Sequence, residues 1–104
     1  MKTLTIEEIP TLDVMKKYKH EPIKCPDGIV DLLGFVIVFE DDSYVQLTVD
    51  FSGEIDEEYP AIEIVYLGDT YYSSLDMSDY DKARSETIAL VKKINKKVIE
   101  TKFY

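Results

Sequence analysis

Residues 44–51 alternate strictly between apolar and polar side chains, and this pattern constrains the fold more than any other feature of the chain. Because successive side chains of a β-strand point to opposite faces, the alternation predicts a strand with one buried and one wet face. The predicted buried face carries Val45, Leu47, Val49 and Phe51. The predicted wet face carries Tyr44, Gln46, Thr48 and Asp50. A sheet that is covered on one side only is typical of antiparallel architectures.

Three further segments are rich in β-branched and aromatic residues, which favours strands. They are residues 29–39, 61–67 and 70–75. Residues 40–43 form a predicted turn, and 52–60 a predicted acidic loop. The pair Gly68-Asp69 fits a two-residue type II′ hairpin turn, because glycine comes first.

Two helices are predicted at the ends of the chain. A short one covers about residues 11–18, where lysines lie near the negative C-terminal end of the helix dipole. A long one begins at Ser78, which has a capping partner three residues later in Asp81. Its apolar residues recur at intervals of three and four, and nothing breaks the helix before about Thr101.

These elements predict an α+β fold within a single domain, residues 1–104. The expected architecture is an antiparallel four-stranded β-meander packed against a long C-terminal helix, with a short N-terminal helix. The sheet becomes five-stranded if the N-terminal residues 2–6, which also alternate, join it.

Charge is distributed unevenly along the chain. Residues 25–81 contain fifteen carboxylates and no lysine or arginine, within a chain of net charge −9. An isoelectric point near 4.5 argues against direct binding of nucleic acid or of anionic membranes, since both require a basic surface. A basic protein partner is the more natural expectation.

Residues with catalytic or metal-binding chemistry are few. His20 and Cys25 are the only histidine and cysteine, and zinc requires three or four ligands. The acids around Asp50–Asp56 have the spacing of a calcium loop, but Ile55 and Ala61 occupy the positions of its required glycine and final glutamate. We therefore predict no catalytic residue, no metal, no cofactor and no enzymatic activity. Scattered carboxylates keep an enzyme as a minor alternative.

The expected location is cytoplasmic. The first ten residues contain no apolar stretch typical of a signal peptide, and no run approaches the length of a membrane span. A single cysteine gives no indication of an oxidising compartment.

The leading hypothesis is a small acidic inhibitor that masks the basic nucleic-acid-binding site of a partner such as a nuclease. Phage-encoded anti-restriction and anti-CRISPR proteins, and immunity proteins against nuclease toxins, are similar in size and charge; no motif assigns the chain to any of them. The predicted partner-binding residues are Glu40, Asp41, Asp42, Glu54, Asp56, Glu57, Glu58, Tyr59, Asp69, Tyr71 and Tyr72.

Two other interpretations stay open. One is an acidic chaperone-like or structural interaction module without catalytic activity, which would form a homodimer through its sheet or its long helix. The other is that the acidic bias serves solubility alone.

Overall fold

A computed structural model describes residues 4–18, 23–25, 28–30, 32–51 and 60–103 of the chain. The strands are β1 (Ile23–Cys25), β2 (Gly28–Val30), β3 (Leu32–Phe39), β4 (Tyr44–Asp50), β5 (Ile62–Tyr66), β6 (Asp69–Ser74) and β7 (Val98–Phe103). The helices are α1 (Leu12–Tyr18) and α2 (Tyr80–Ile94), with single 3-10 turns at Ile6–Glu8 and Met77–Asp79.

The main sheet has five antiparallel strands in the order β6-β5-β4-β3-β7. Four of them form the predicted meander, so the α+β class with a short N-terminal and a long C-terminal helix is confirmed. Strands β1 and β2 pair with each other in a separate two-stranded sheet.

The alternation in β4 divides the sheet into two faces. Val45, Leu47 and Val49 are fully buried on the core face, where α2 also packs. Leu47 lies opposite Phe35 of β3 and Ile64 of β5, so three strands contribute one apolar layer.

Asp50 departs from the predicted pattern because it is buried rather than wet. Its backbone is flanked on both sides. Leu32 lies opposite it in β3, and its backbone N–H donates to the carbonyl of Ala61 at 2.9 Å.

The fifth strand comes from the C-terminal segment, and the prediction of a helix to Thr101 is wrong. Helix α2 ends at Ile94 because Asn95 adopts a left-handed conformation (φ 54°) and donates its N–H to the carbonyl of Val91. Val98 does belong to the core, but as a strand residue opposite Phe39.

The hairpin between β5 and β6 turns one residue earlier than predicted. Tyr66 pairs with Asp69, so the two turn residues are Leu67 and Gly68. Both have positive φ, 51° and 81°, which is the signature of a type I′ turn rather than type II′.

The start of α2 also differs from the prediction of a cap at Ser78. The carboxylate of Asp76 accepts a hydrogen bond from the N–H of Ser78 at 2.9 Å, and a 3-10 turn follows before α2 begins at Tyr80. Asp76 therefore caps the 3-10 turn, and the N-cap position of α2 itself is Asp79, whose side chain makes no capping hydrogen bond.

The N-terminal segment is anchored to α2 by side chains of that helix. Arg84 donates to the carbonyl oxygens of Ile6 and Ile9, both at 2.9 Å, and the hydroxyl of Tyr80 donates to the carbonyl of Pro10 at 2.7 Å. These bonds position Ile9, which is fully buried, within the common core. Among the described residues, no helix is long and apolar enough to cross a membrane.

Candidate functional site

Two hairpin turns and the segment after α2 meet at one end of the sheet, which we call the turn end. It comprises the β3–β4 turn with the first residue of β4 (residues 40–44), the β5–β6 turn with the start of β6 (67–71) and residues 95–97. The strand register brings them together, since β4 starts beside the end of β5 and β7 starts beside the end of β3. The N–H of Glu40 donates to the carbonyl of Lys97 at 2.9 Å, which links the first turn to the third segment.

The β3–β4 turn is a closely hydrogen-bonded structure. The N–H of Phe39 donates to the carbonyl of Ser43 at 2.8 Å, and the N–H of Asp42 donates back to Phe39 at 3.0 Å. Asp41 accepts from both the N–H and the hydroxyl of Ser43, at 3.1 and 2.5 Å. The exposed carboxylates of Glu40 and Asp42 are thus presented from an ordered turn.

Lys96 neutralises one of the predicted binding residues. Its ammonium group donates to the carboxylate of Asp41 and to the hydroxyl of Tyr66, the latter at 3.1 Å. The hydrogen bond from Lys96, followed by those from Ser43, holds the pKa of Asp41 well below its ordinary value of 3.8. Asp41 raises the pKa of Lys96 in return. Asp41 therefore has a structural role inside the turn end.

This pair predicts a specific pH dependence of folding. Because the folded-state pKa of Asp41 is lowered, its contribution to stability is complete above 3.8 and is lost as the pH falls through the folded-state value. Urea unfolding should show Asp41→Asn less stable than wild type at neutral pH, with a difference that shrinks as the solution becomes more acidic than about pH 4. In a Lys96→Met background most of this difference should disappear. A difference that is equal at all pH values would contradict the assignment.

Exposed apolar side chains concentrate at the turn end. Tyr44, Leu67 and Tyr71 are 51%, 69% and 49% exposed. The ring centre of Tyr71 lies 6.3 Å from that of the buried Tyr66. Three of the six exposed large hydrophobic residues among those described thus share one end of the sheet.

The carboxylates at this end are only partly compensated. Among the described residues, Glu40, Asp42 and Asp69 are exposed and form no ion pair, whereas Asp41 is paired with Lys96. The turn end therefore combines three free acidic groups with two tyrosines, a leucine and the exposed Lys97. This mixture of aromatic, apolar and charged groups is typical of a protein-binding surface.

The predicted binding residues do not all come together. Glu40, Asp41, Asp42, Asp69 and Tyr71 lie at the turn end. Tyr72 is half-buried against the core, with the ammonium of Lys82 6.0 Å from its ring centre, and burial raises its pKa. The predicted residues Glu54, Asp56, Glu57, Glu58 and Tyr59 lie outside the described residues.

The residues that flank this undescribed acidic segment, Phe51 and Pro60, lie at the opposite end of the sheet, after β4 and before β5. The seven residues of β4 span about 20 Å. Phe51 and Pro60, which flank the acidic segment 54–58, are therefore about that far from the acidic turn at residues 40–42. Of the two predicted acidic contact groups, only the one at the turn end lies within the described residues.

Sequence reasoning missed Tyr44 and Leu67 as candidate contact residues. The alternation places Tyr44 on the wet face of its strand, and the predicted Gly68-Asp69 turn leaves Leu67 in the preceding strand. The signal for Leu67 is the alternative two-residue turn Leu67-Gly68, which also contains the glycine.

Metal ligands and cavities among the described residues are few. They contain no group of three or more His, Cys, Asp or Glu side chains that could hold a metal. A cavity of about 400 Å³ lies between the N-terminal segment, Arg84 and the end of β7. The guanidinium of Arg84 donates to backbone carbonyls there, which gives this side chain a structural role.

No protein family, curated protein or solved structure matches this chain.

Proposed function

We propose that this protein is a non-enzymatic binding module whose turn end masks the basic nucleic-acid-binding site of another protein. The observation that carries the proposal is the grouping of Tyr44, Leu67 and Tyr71 with free carboxylates at one end of the sheet. Aromatic and apolar anchors supply contact area, and the acidic groups around them select a basic partner.

Leu67 supports this interpretation most strongly. A left-handed conformation costs an ordinary L-residue about 1 to 2 kcal/mol, and type I′ turns therefore favour Asn, Asp or Gly. Leu67 adopts φ 51° and is also 69% exposed, so neither the backbone nor burial favours leucine here. Backbone strain of this kind is frequent at binding sites, where contact with a partner offsets it.

The partner class follows from charge. Glu40, Asp42 and Asp69 project from two neighbouring turns, and a site built for phosphates presents Lys and Arg to such groups. Two lysines lie at the same end: Lys96 is engaged by Asp41, and Lys97 is exposed, so three free carboxylates stand against one free ammonium group. The acidic segment at residues 54–58 remains a second predicted contact group. At the turn end, Asp41 acts as a supporting residue through its pairing with Lys96.

The experiment is a pull-down from the lysate of the source organism, with stepwise elution by salt and then by DNA or RNA. A nucleic-acid-binding protein that moderate salt releases and nucleic acid displaces is expected, because the partner would use one site for both ligands. A partner that resists salt and ignores nucleic acid would contradict masking of such a site.

A further inference from the structure

Strand β7 forms one edge of the five-stranded sheet, and no strand lies beyond it among the described residues. Residues 99–102 are all exposed, including Ile99 at 54%. Ile99 is the extra residue of a β-bulge, because Val38 pairs with Glu100 while Phe39 pairs with Val98. The edge therefore presents unpaired backbone groups over several residues, which is a template for another strand.

The residues of β7 are complementary to themselves in reverse order. The sequence from Ile99 to Phe103 places a large apolar residue at each end, opposite charges at Glu100 and Lys102, and Thr101 at the centre. We propose that β7 pairs antiparallel with β7 of a second copy of this chain, about a two-fold axis through Thr101. The product is a continuous ten-stranded sheet.

This register brings complementary groups together. In this register Glu100 of each copy lies opposite Lys102 of the other copy, which gives two pairs of opposite charges. Side chains directly opposite in an antiparallel pair are separated by about 5 Å between Cβ atoms, within reach of an ion pair. Each end of the interface joins Ile99 to Phe103 of the other copy, and the ring of Phe103 is already packed on Phe35 at 5.6 Å.

Charge disfavours the neighbouring registers. The two-fold axis of such an antiparallel pair passes through one residue, which then lies opposite the same residue of the second copy. An axis through Glu100 places two glutamates opposite each other, and an axis through Lys102 places two lysines opposite each other. Edge charges commonly prevent pairing with unrelated strands. Glu100 and Lys102 of β7 also disfavour pairing with unrelated strands. In the register centred on Thr101, however, each of them faces an opposite charge of the second copy.

The inference is independent of the turn-end proposal, because it needs only β7 and its own partner strand. The test uses charge reversal followed by a swap. Glu100→Lys and Lys102→Glu each place like charges opposite one another, whereas the double variant E100K/K102E restores two opposite-charge pairs. Glu86→Lys, on the exposed side of α2, is a control with the same change of net charge as E100K.

Sedimentation velocity over a concentration series measures the monomer–dimer equilibrium of each variant. We expect wild type, E86K and the swapped double variant to dimerise, and each single reversal to raise the dissociation constant at least tenfold. Circular dichroism and urea unfolding establish that every variant is folded. A monomeric wild type would overturn the proposal, as would a dimer that the single reversals leave unchanged or that the double variant fails to restore.

Discussion

Replacing Arg84 by methionine is expected to lower the free energy of unfolding by about 2 to 3 kcal/mol, because hydrogen bonds from a charged donor contribute about 1.5 to 3 kcal/mol. The guanidinium group holds the carbonyls of Ile6 and Ile9, and its side chain is only 16% exposed. Methionine fills much of the same volume but donates no hydrogen bond. The N-terminal segment would keep the hydrogen bond from Tyr80 to Pro10 but lose those from Arg84.

The measurement is urea unfolding, with hydrogen exchange at the buried Ile9 as a local readout. Arg84→Lys should be intermediate, because one ammonium group cannot reproduce the fork geometry of guanidinium. Lys93→Met is the matched control, since Lys93 is exposed on the same helix and should change stability by less than about 0.5 kcal/mol. Equal stability losses in R84M and K93M would show that the anchor is unimportant.

Replacing Leu67 by asparagine is expected to stabilise the protein and to weaken binding of its partner. Asparagine tolerates the left-handed conformation, and Asn-Gly is the preferred pair for a type I′ turn, so the gain in unfolding free energy should be about 1 kcal/mol. Loss of a leucine contact of about 1.5 kcal/mol would raise the dissociation constant roughly tenfold. Opposite signs for stability and binding distinguish a binding residue from a structural one.

Leu75→Asn is the matched control for this prediction. Leu75 is also exposed, at 52%, but it follows β6 at the other end of the sheet and has no positive φ. Its replacement should neither stabilise the fold nor affect binding. If L67N stabilised the protein and bound its partner as tightly as wild type, Leu67 would be a strained turn residue without a binding role.

The sheet was predictable because its signal is local. The alternation of Val45, Leu47 and Val49 identified the core face directly, and turn residues separated the strands of the meander. The end of α2 was not predictable in the same way. Val98 continues the helical spacing of apolar residues by coincidence, and only the backbone conformation of Asn95 shows where the helix stops.

The candidate site was predictable only in part, because its parts lie far apart in the chain. The acidic turn that contains Glu40 and Asp42 is visible in sequence, and so is Asp69 after a glycine. The pairing of Asp41 with Lys96 joins residues 55 positions apart. Arg84 reaches back 78 positions to Ile6. Contacts of this range follow from strand order, which one sequence does not specify.

The most direct measurement compares two triple variants in calorimetric binding to the partner recovered by the pull-down. One variant, E40Q/D42N/D69N, neutralises the free acids of the turn end. The other, E7Q/D13N/E86Q, removes three exposed acids elsewhere and so has the same net charge. We expect the turn-end variant to bind at least about tenfold more weakly with a reduced salt dependence, and the control to bind like wild type. Equal binding by the two variants would contradict the turn end as the interaction surface.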